Sequence, residues 1–342
     1  MASANVPQTM KCVCIEQTGG PEVLQLKEMP VPTPKEGEVL IKNEFVGVNF
    51  IDIYFRTGLY PTPSFPSILG RECAGTIAAL GPTTSTTTSL RVGDRVAALT
   101  GGGAYAEYAV APVRNTAPVP PGLSTDNAAA ALLQGLTALA MTRESHRVEK
   151  GDYVLVHAAA GGVGLWLLRV LRALGARIVA TAGGEAKCRL VRETAGEALV
   201  AVVDYKKEGG YAEVEKVVKE NTPGGEGVIC VLDGVGKDTF DLSLGCLRRK
   251  GTMVSFGNAS GAVPPLTITR LSPKCLKLVR PQLYPYIATQ DEFEGYVVQL
   301  FDMMLKNKIN TNMHEIYPLA EAARAQVDLG GRKTTGKLLL KV

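Results

Sequence analysis

From Asp152 onward, short apolar runs alternate with helical segments, and no other feature limits the fold as strongly. YVLVHA precedes GLWLLRVLRALG, RIVATA precedes a helix from about Glu185, LVAVVDY precedes EVEKVVKEN, GVICVLD precedes TFDLSLGCLR, and GTMVSFG closes the series. Short β-branched runs joined by helix-length crossovers can pair only in parallel, and a parallel sheet needs helices on both faces. The expected class is α/β.

The first turn of the series is Ala159-x-Gly161-x-x-Gly164, after a strand and opening a helix. It contains no acid, base or nucleophile, so what it offers is backbone. This is a dinucleotide-binding turn with alanine in the first glycine position. Small residues let N–H groups approach a pyrophosphate, and the helix N-terminus turns its partial positive charge toward the anion. A side chain at Gly161 or Gly162 would push phosphates away, and Gly164 lets the helix pack on the strand. Glycine turns also occur for packing alone; the position on the first of five strand–helix units favours the nucleotide.

The second strand ends Ala180-Thr181-Ala182-Gly183, with no carboxylate at its tip to bond a ribose 2′-hydroxyl. Gly183 and Gly184 leave room, and Lys187 follows on the helix. Room plus a cation suits a 2′-phosphate, so the expected cofactor is NADPH. Glu185 reads as a helix N-terminal acid facing solvent.

Before about Pro121 the pattern differs: KCVCIEQ, VLQLKEM, EVLIKNEFVGVN, CAGTIAAL, DRVAAL and YAEYAVAP are short strands between Gly and Pro turns, as in an antiparallel barrel-like domain. A capped helix, with Ser124 or Thr125 at its N-cap, follows. The tail beyond about Ser272 is mixed and ends in a helix, EAARAQVDL, and a strand, KLLLKV. The formal charge of +4 over 342 residues argues against a dedicated nucleic-acid binder. The N-terminus shows no export signal, no apolar run reaches a membrane-spanning length, and seven scattered cysteines read as reduced thiols, so a cytoplasmic protein is expected. There is no Gly-x-Ser-x-Gly elbow for a hydrolase.

The combination GGPEVL, VGVNFIDIYFRTGLYP, GDRV, AAAGGVG, DGVGKDTF, VSFGNASG and ITRLSPK resembles zinc-independent quinone oxidoreductases of the zeta-crystallin type, fungal ones in particular, within the medium-chain dehydrogenase/reductase superfamily. The resemblance implies a Rossmann-type parallel-sheet NADPH-binding domain, residues 131–274, inserted in a GroES-like β-barrel catalytic domain formed by 1–130 and 275–342. It implies that Gly161, Gly162 and Val163 contact the pyrophosphate. Gly183, Lys187 and Tyr205 would surround the 2′-phosphate, with Arg332 as a further contact. Asn49, Thr137, Phe256, Gly257 and Ser260 would lie along the cofactor, and Tyr54 and Tyr60 would face the substrate, making Asn49, Tyr54 and Tyr60 the catalytic set. Each has a plainer reading: Lys187 as a solvated helix residue, Tyr205 as strand-end packing, Arg332 as surface charge. Gln134 stands where some relatives carry lysine.

Zinc-dependent relatives hold their metal with a cysteine and a Gly-His-Glu; here those places read Asn49 and Gly70-Arg71-Glu72, and no metal is expected. Cys12-x-Cys14 has no second pair, and His146, His157 and His314 read as packing or surface residues. Without a Lewis acid the reaction needs an activated acceptor, so NADPH:quinone oxidoreductase activity is expected, by orientation of the nicotinamide against the quinone. Reduction of α,β-unsaturated carbonyl double bonds is the alternative. AU-rich RNA binding with NADPH as ligand is a more distant one. A homodimer through the sheet edge around residues 254–261 is expected as well.

Overall fold

The computed structural model describes residues 6–342; the first five residues of the N-terminal stretch that reads as lacking an export signal lie outside it. The chain forms two units, one running up to Leu136 and resuming at Ile287–Val342, the other Thr137–Tyr286.

The first unit opens with β1 (Thr9–Ile15) and β2 (Gln25–Pro30), then β3 (Glu38–Val48), β4 (Ser67–Ile68), β5 (Glu72–Leu80), β6 (Arg95–Leu99), β7 (Tyr108–Pro112) and β8 (Thr116–Pro118). The second contributes β9 (Tyr153–Val156), β10 (Arg177–Ala182), β11 (Leu199–Asp204), β12 (Val228–Asp233), β13 (Leu247–Ser255) and β14 (Lys277–Val279), and the tail returns with β15 (Met313–Pro318) and β16 (Lys337–Lys341).

In the first unit, β1 pairs with β2 and β4, and a seven-stranded sheet runs β15-β16-β3-β5-β6-β8, with β7 on β3. β3 is the hub. It pairs antiparallel with β5, Val46 opposite Cys73, and with β16, Val48 opposite Leu338. That register sets three chain segments side by side: Gly47–Asn49, Glu72 and Lys337. Alternate positions of these strands point inward, and Val39, Ile41, Val46, Cys73, Ile77, Val96, Tyr105, Tyr317 and Leu340 share one apolar core. Phe50–Arg56, not expected from the sequence, is a short helix begun by Asp52: its carboxylate accepts the Asn49 N–H at 2.9 Å.

The second unit is the expected parallel sheet, with six strands in the order β11-β10-β9-β12-β13-β14. Read from β9 as the first, this is the 3-2-1-4-5-6 order of a doubly wound dinucleotide fold, with the switch point between β9 and β12. Helix Gly162–Leu174 buries Leu165, Trp166, Leu168 and Leu171 and stops at Gly175, whose φ of 73° is the left-handed end a glycine tolerates. Residues 275–286, assigned from the sequence to the returning tail, belong to this unit because Lys277–Val279 adds β14 to the sheet, parallel to β13. Residues 131–136, assigned to the nucleotide domain, belong to the first unit; the division falls inside helix Thr125–Ala140. β13 is therefore interior, and the sheet edge lies at 277–279 rather than around 254–261.

Candidate functional site

In the second unit the expected residues gather at the carboxyl ends of the parallel strands. The β9 turn is held by its own backbone: Ala159 N–H donates to Thr181 O and Gly161 N–H to Ala158 O, both at 2.9 Å. Ala158 has φ +50°, a strained left-handed residue that folds the turn back beneath the helix. A Cβ at Gly164 would lie 2.5 Å from Ala158 O and 2.7 Å from Ala159 Cα, both backbone atoms, so helix and strand meet too closely for any other residue. Gly161 is the helix N-cap and has no side-chain cap; Gly161, Gly162 and Val163 are half-buried. First-turn N–H groups have no intrahelical partner. Small residues, open backbone donors and a helix dipole make a cradle that fits a phosphorylated nucleotide.

At the tip of β10, a Cβ on Gly183 would stand 2.6 Å from the Tyr205 hydroxyl, so the phenol lies flat over this glycine. Tyr205 in turn stacks on Tyr211, ring centroids 4.8 Å apart and 14° from parallel. Lys187 is half-buried on the following helix, and burial, followed by the charge of Lys206, lowers its pKa. An anion here would relieve both. Glu185 is committed elsewhere: it is exposed and pairs with Arg192 at 2.7 Å, which holds its carboxyl below the ordinary value. The acid bonded at the β10 tip is Asp204, ending β11: it accepts Gly184 N–H at 2.7 Å and Lys206 N–H at 3.0 Å. These bonds lower its pKa.

Beyond the switch point, the loops after β12 and β13 are knitted together. Asp233, fully buried, accepts Val235 and Gly236 N–H on one oxygen and the Thr239 and Ser243 hydroxyls on the other. A Cβ at Gly257 would lie 2.4 Å from Gly234 O, and one at Gly234 would meet the Phe256 ring at 2.7 Å. The Ser260 hydroxyl donates to Val235 O and accepts Asp238 N–H. Arg280, at the end of β14, donates to Ser255 O at 2.9 Å and Gly257 O at 3.2 Å, tying the Phe256–Gly257 loop to the sheet edge. Arg280 and Asp233 do not stand out in the sequence reading. Asp233 ends an apolar strand, a visible signal; Arg280 has none. His157 is a buried residue, its Nδ1 3.0 Å from the Thr181 hydroxyl, and burial lowers its pKa, consistent with a packing role.

Asn49, Tyr54, Tyr60 and Arg332 lie in the first unit, while Thr137 is half-buried mid-helix at the start of the second. Tyr54 is buried and meets Tyr60 edge-on at 5.2 Å; Phe55 also packs edge-on against Tyr60. Arg332 is exposed just past helix Ala322–Gly330, with φ +55°. Asn49 sits in a buried polar network. Its Nδ2 donates to Glu72 Oε1 at 2.7 Å, and its Oδ1 accepts from Lys337 Nζ at 2.7 Å. Lys337 Nζ also donates to Glu72 Oε1 at 2.5 Å and Val48 O at 3.2 Å; Glu72 Oε2 accepts Leu133 N–H. A Cβ at Gly47 would stand 2.2 Å from Glu72 Oε1, so glycine makes room for the carboxylate. Beside it, Asp52 accepts the Tyr105 hydroxyl at 2.9 Å; burial pushes its carboxyl up to about 6. Lys337 is remote in sequence from its partners and left no local trace.

Among the described residues no three His, Cys, Asp or Glu side chains converge as metal ligands. Where the zinc-dependent relatives place ligands, Asn49 and Glu72 are engaged by an ammonium and Arg71 lies over the Phe55 ring at 4.1 Å.

Residues 35–121 match the alcohol dehydrogenase GroES-like domain and residues 162–302 the zinc-binding dehydrogenase family. The chain is 44% identical over 328 residues to a probable quinone oxidoreductase of Schizosaccharomyces pombe, covering 96% of each. It is 35% identical to a 2-haloacrylate reductase of a Burkholderia species, covering 95% of this chain and 97% of that one. The crystal structure of Escherichia coli quinone oxidoreductase complexed with NADPH superposes with a TM-score of 0.91 at 38% identity, over 97% of this chain and all of that one. The chain belongs to the quinone oxidoreductase family of the medium-chain dehydrogenase/reductase superfamily. No helix among the described residues is long and apolar enough to cross a membrane.

Proposed function

We propose that this chain is an NADPH:quinone oxidoreductase that works without a metal. The observation that carries the reading is the cradle: a β9 turn so close-packed that Gly164 admits no side chain, opening a helix whose N-cap Gly161 has no side-chain partner. Gly161, Gly162 and Val163 would hold the pyrophosphate. Gly183, Lys187 and Tyr205, with Arg332, would hold the 2′-phosphate, and the half-buried Lys187 beside Lys206 favours the phosphorylated cofactor. Thr137, Phe256, Gly257 and Ser260 would lie along the rest of it; the Ser260 hydroxyl and N–H both already join two loop segments, so it would shape the loop that faces the cofactor.

Bound NADPH supplies a hydride. The protein's part is orientation and exclusion of water. Asn49, held at both ends of its carboxamide, fixes the start of the segment that carries Tyr54 and Tyr60, and these aromatic rings would face the acceptor. A quinone is electron-poor enough to take a hydride without Lewis-acid help, which agrees with a site whose Glu72 carboxylate is neutralised by Lys337. The test is NADPH oxidation by a simple quinone in the presence of a metal chelator. Sustained turnover supports the proposal, and loss of turnover on chelation refutes it.

The similarity to a 2-haloacrylate reductase favours a second reading, reduction of an activated carbon–carbon double bond. Comparing turnover of a quinone and an enal at equal NADPH separates the two. We also propose a homodimer through the exposed edge at Lys277–Val279, where Leu278 is 36% and nearby Ile268 76% exposed; sedimentation equilibrium tests it. For RNA, Tyr286 is half-buried with its hydroxyl 3.3 Å from Ser145 Oγ, which supports packing rather than base stacking. A cytoplasmic location is proposed as well, and fractionation checks it.

A further inference from the structure

Lys337 is completely buried, far along the chain from the residues it touches, and beyond neutralising Glu72 the function proposed above gives it no role. Its three N–H donors are all used, on Glu72 Oε1, Asn49 Oδ1 and Val48 O. An ammonium has no acceptor capacity and a carboxylate no donor. Asn49 lies between one of each, so its carboxamide has a single chemically allowed orientation: oxygen toward Lys337, nitrogen toward Glu72 at 2.7 Å. Flipping it would set donor against donor and acceptor against acceptor. The Asn49 N–H is taken by Asp52, so backbone and side chain are pinned together. The Asn49 oxygen faces Lys337 and the capping-box N–H of Asp52, so what remains of the carboxamide is one N–H of fixed direction.

We infer that Lys337 is a positioning residue: with Glu72 it locks the Asn49 carboxamide in the one orientation that presents this remaining N–H to the reaction. The inference rests on the proposed reading of Asn49 as a cofactor contact. It departs from a purely structural ion pair, which would matter to stability and leave turnover alone.

The experiment compares wild type, Lys337→Met and the double variant Lys337→Met/Glu72→Gln by thermal melting, NADPH titration, quinone turnover and the side-chain amide resonances of Asn49 in 15N-labelled protein. Lys337→Met leaves a carboxylate buried without its partner and lowers Tm; the double variant removes that charge and recovers most of Tm. In the double variant the lysine donor is gone, and the substituted amide, whose oxygen must keep the Leu133 N–H, turns its NH2 toward Asn49, so the lock on the Asn49 orientation is lost. The Asn49 amide protons are therefore expected to exchange at least tenfold faster than in wild type, and kcat to stay at least tenfold below wild type. Recovery of turnover together with Tm would make Lys337 structural only and overturn the inference. So would an Asn49 amide pair as protected in Lys337→Met as in wild type. A wild type that oxidises no NADPH would instead sink the functional reading, since the amide exchange is measured on the protein alone.

Discussion

The glycine turn of the second unit, proposed as a phosphate cradle, and the Asn49 network of the first are built on opposite plans. The cradle consists of what is left out: Gly161 and Gly162 leave backbone to be approached, Gly164 lets helix meet strand, and Gly183 makes room for the Tyr205 ring. The network consists of side chains that satisfy one another: Lys337, Glu72, Asn49 and Asp52 exchange hydrogen bonds at 2.5–2.9 Å and are all buried. A backbone cradle can take a ligand's charge because it carries only partial charges of its own. A saturated ion pair offers no net charge to a ligand; what it supplies is rigidity. The difference separates holding from aiming.

The largest effect should come from breaking the saturated side. Glu72→Ala strands a buried ammonium, and losing one partner of such a pair costs about 3–5 kcal/mol. Urea unfolding should show that loss as a lower midpoint. Glu185→Ala, which removes an exposed carboxylate from its pair with Arg192, should leave the midpoint where it was.

Next is a pH effect at Asp52. Burial raises its carboxyl to about 6, against hydrogen bonds from Asn49 N–H and Tyr105 and the charges of Lys337 and Arg71, which lower it. The folded state therefore binds this proton more tightly than the unfolded chain, for which about 3.9 is ordinary. The stabilisation is complete below about pH 4 and is lost as pH rises through about 6. The unfolding free energy of wild type minus that of Asp52→Asn should fall by about 2–3 kcal/mol over this interval and stay level above pH 7. A flat difference from pH 4 to 7 would mean that Asp52 titrates normally.

On the cradle side, Gly164→Ala forces a methyl group to within 2.5 Å of Ala158 O. Overpacking of this kind costs about 1–3 kcal/mol, and because it parts the helix from the strand, NADPH binding should weaken with stability. Gly151→Ala is the control, since a Cβ there meets nothing within 4 Å; its φ of 88° makes it strained, so Tm should drop modestly while NADPH binding holds.

The two plans also explain what the sequence could disclose. The turn is local: glycine spacing, flanking strand and helix lie within thirty residues, so Gly161, Gly164, Gly183 and Lys187 can be singled out from the sequence and a physical reason proposed for each. The network is long-range. Lys337 lies 265 residues from Glu72, and only the β16–β3 register brings it to Val48 and Asn49. Nothing in KLLLKV distinguishes that lysine from a solvated strand end. The same division runs through the fold. Strands β9 to β13 were legible from apolar runs between helices. β14, three residues long, was not, and its absence from the reading moved the domain boundary and the sheet edge. Helix Gln290–Lys306 is different: Thr289 and Glu292 form a capping box, and Phe293, Tyr296, Val297, Leu300 and Phe301 are buried at helical spacing, a pattern present in the tail that the mixed reading did not resolve.

The smallest expected effect bears on the one place where the cradle does use a charged side chain. If backbone alone holds the pyrophosphate, then Lys187 should matter only to the cofactor that carries a 2′-phosphate. Lys187→Ala should weaken NADPH about tenfold, or about 1.4 kcal/mol, and leave NADH affinity within a factor of two. Lys206→Ala should act in the same direction but less, because Lys206 is exposed and reaches the site through its charge. The loss should shrink as salt is raised, which titrations at two ionic strengths would show. Equal losses for NADPH and NADH in Lys187→Ala would place the 2′-phosphate elsewhere, with Arg332 the next residue to change. Salt-independent loss would mean that the half-buried lysine stem, rather than its charge, was holding the helix start in place.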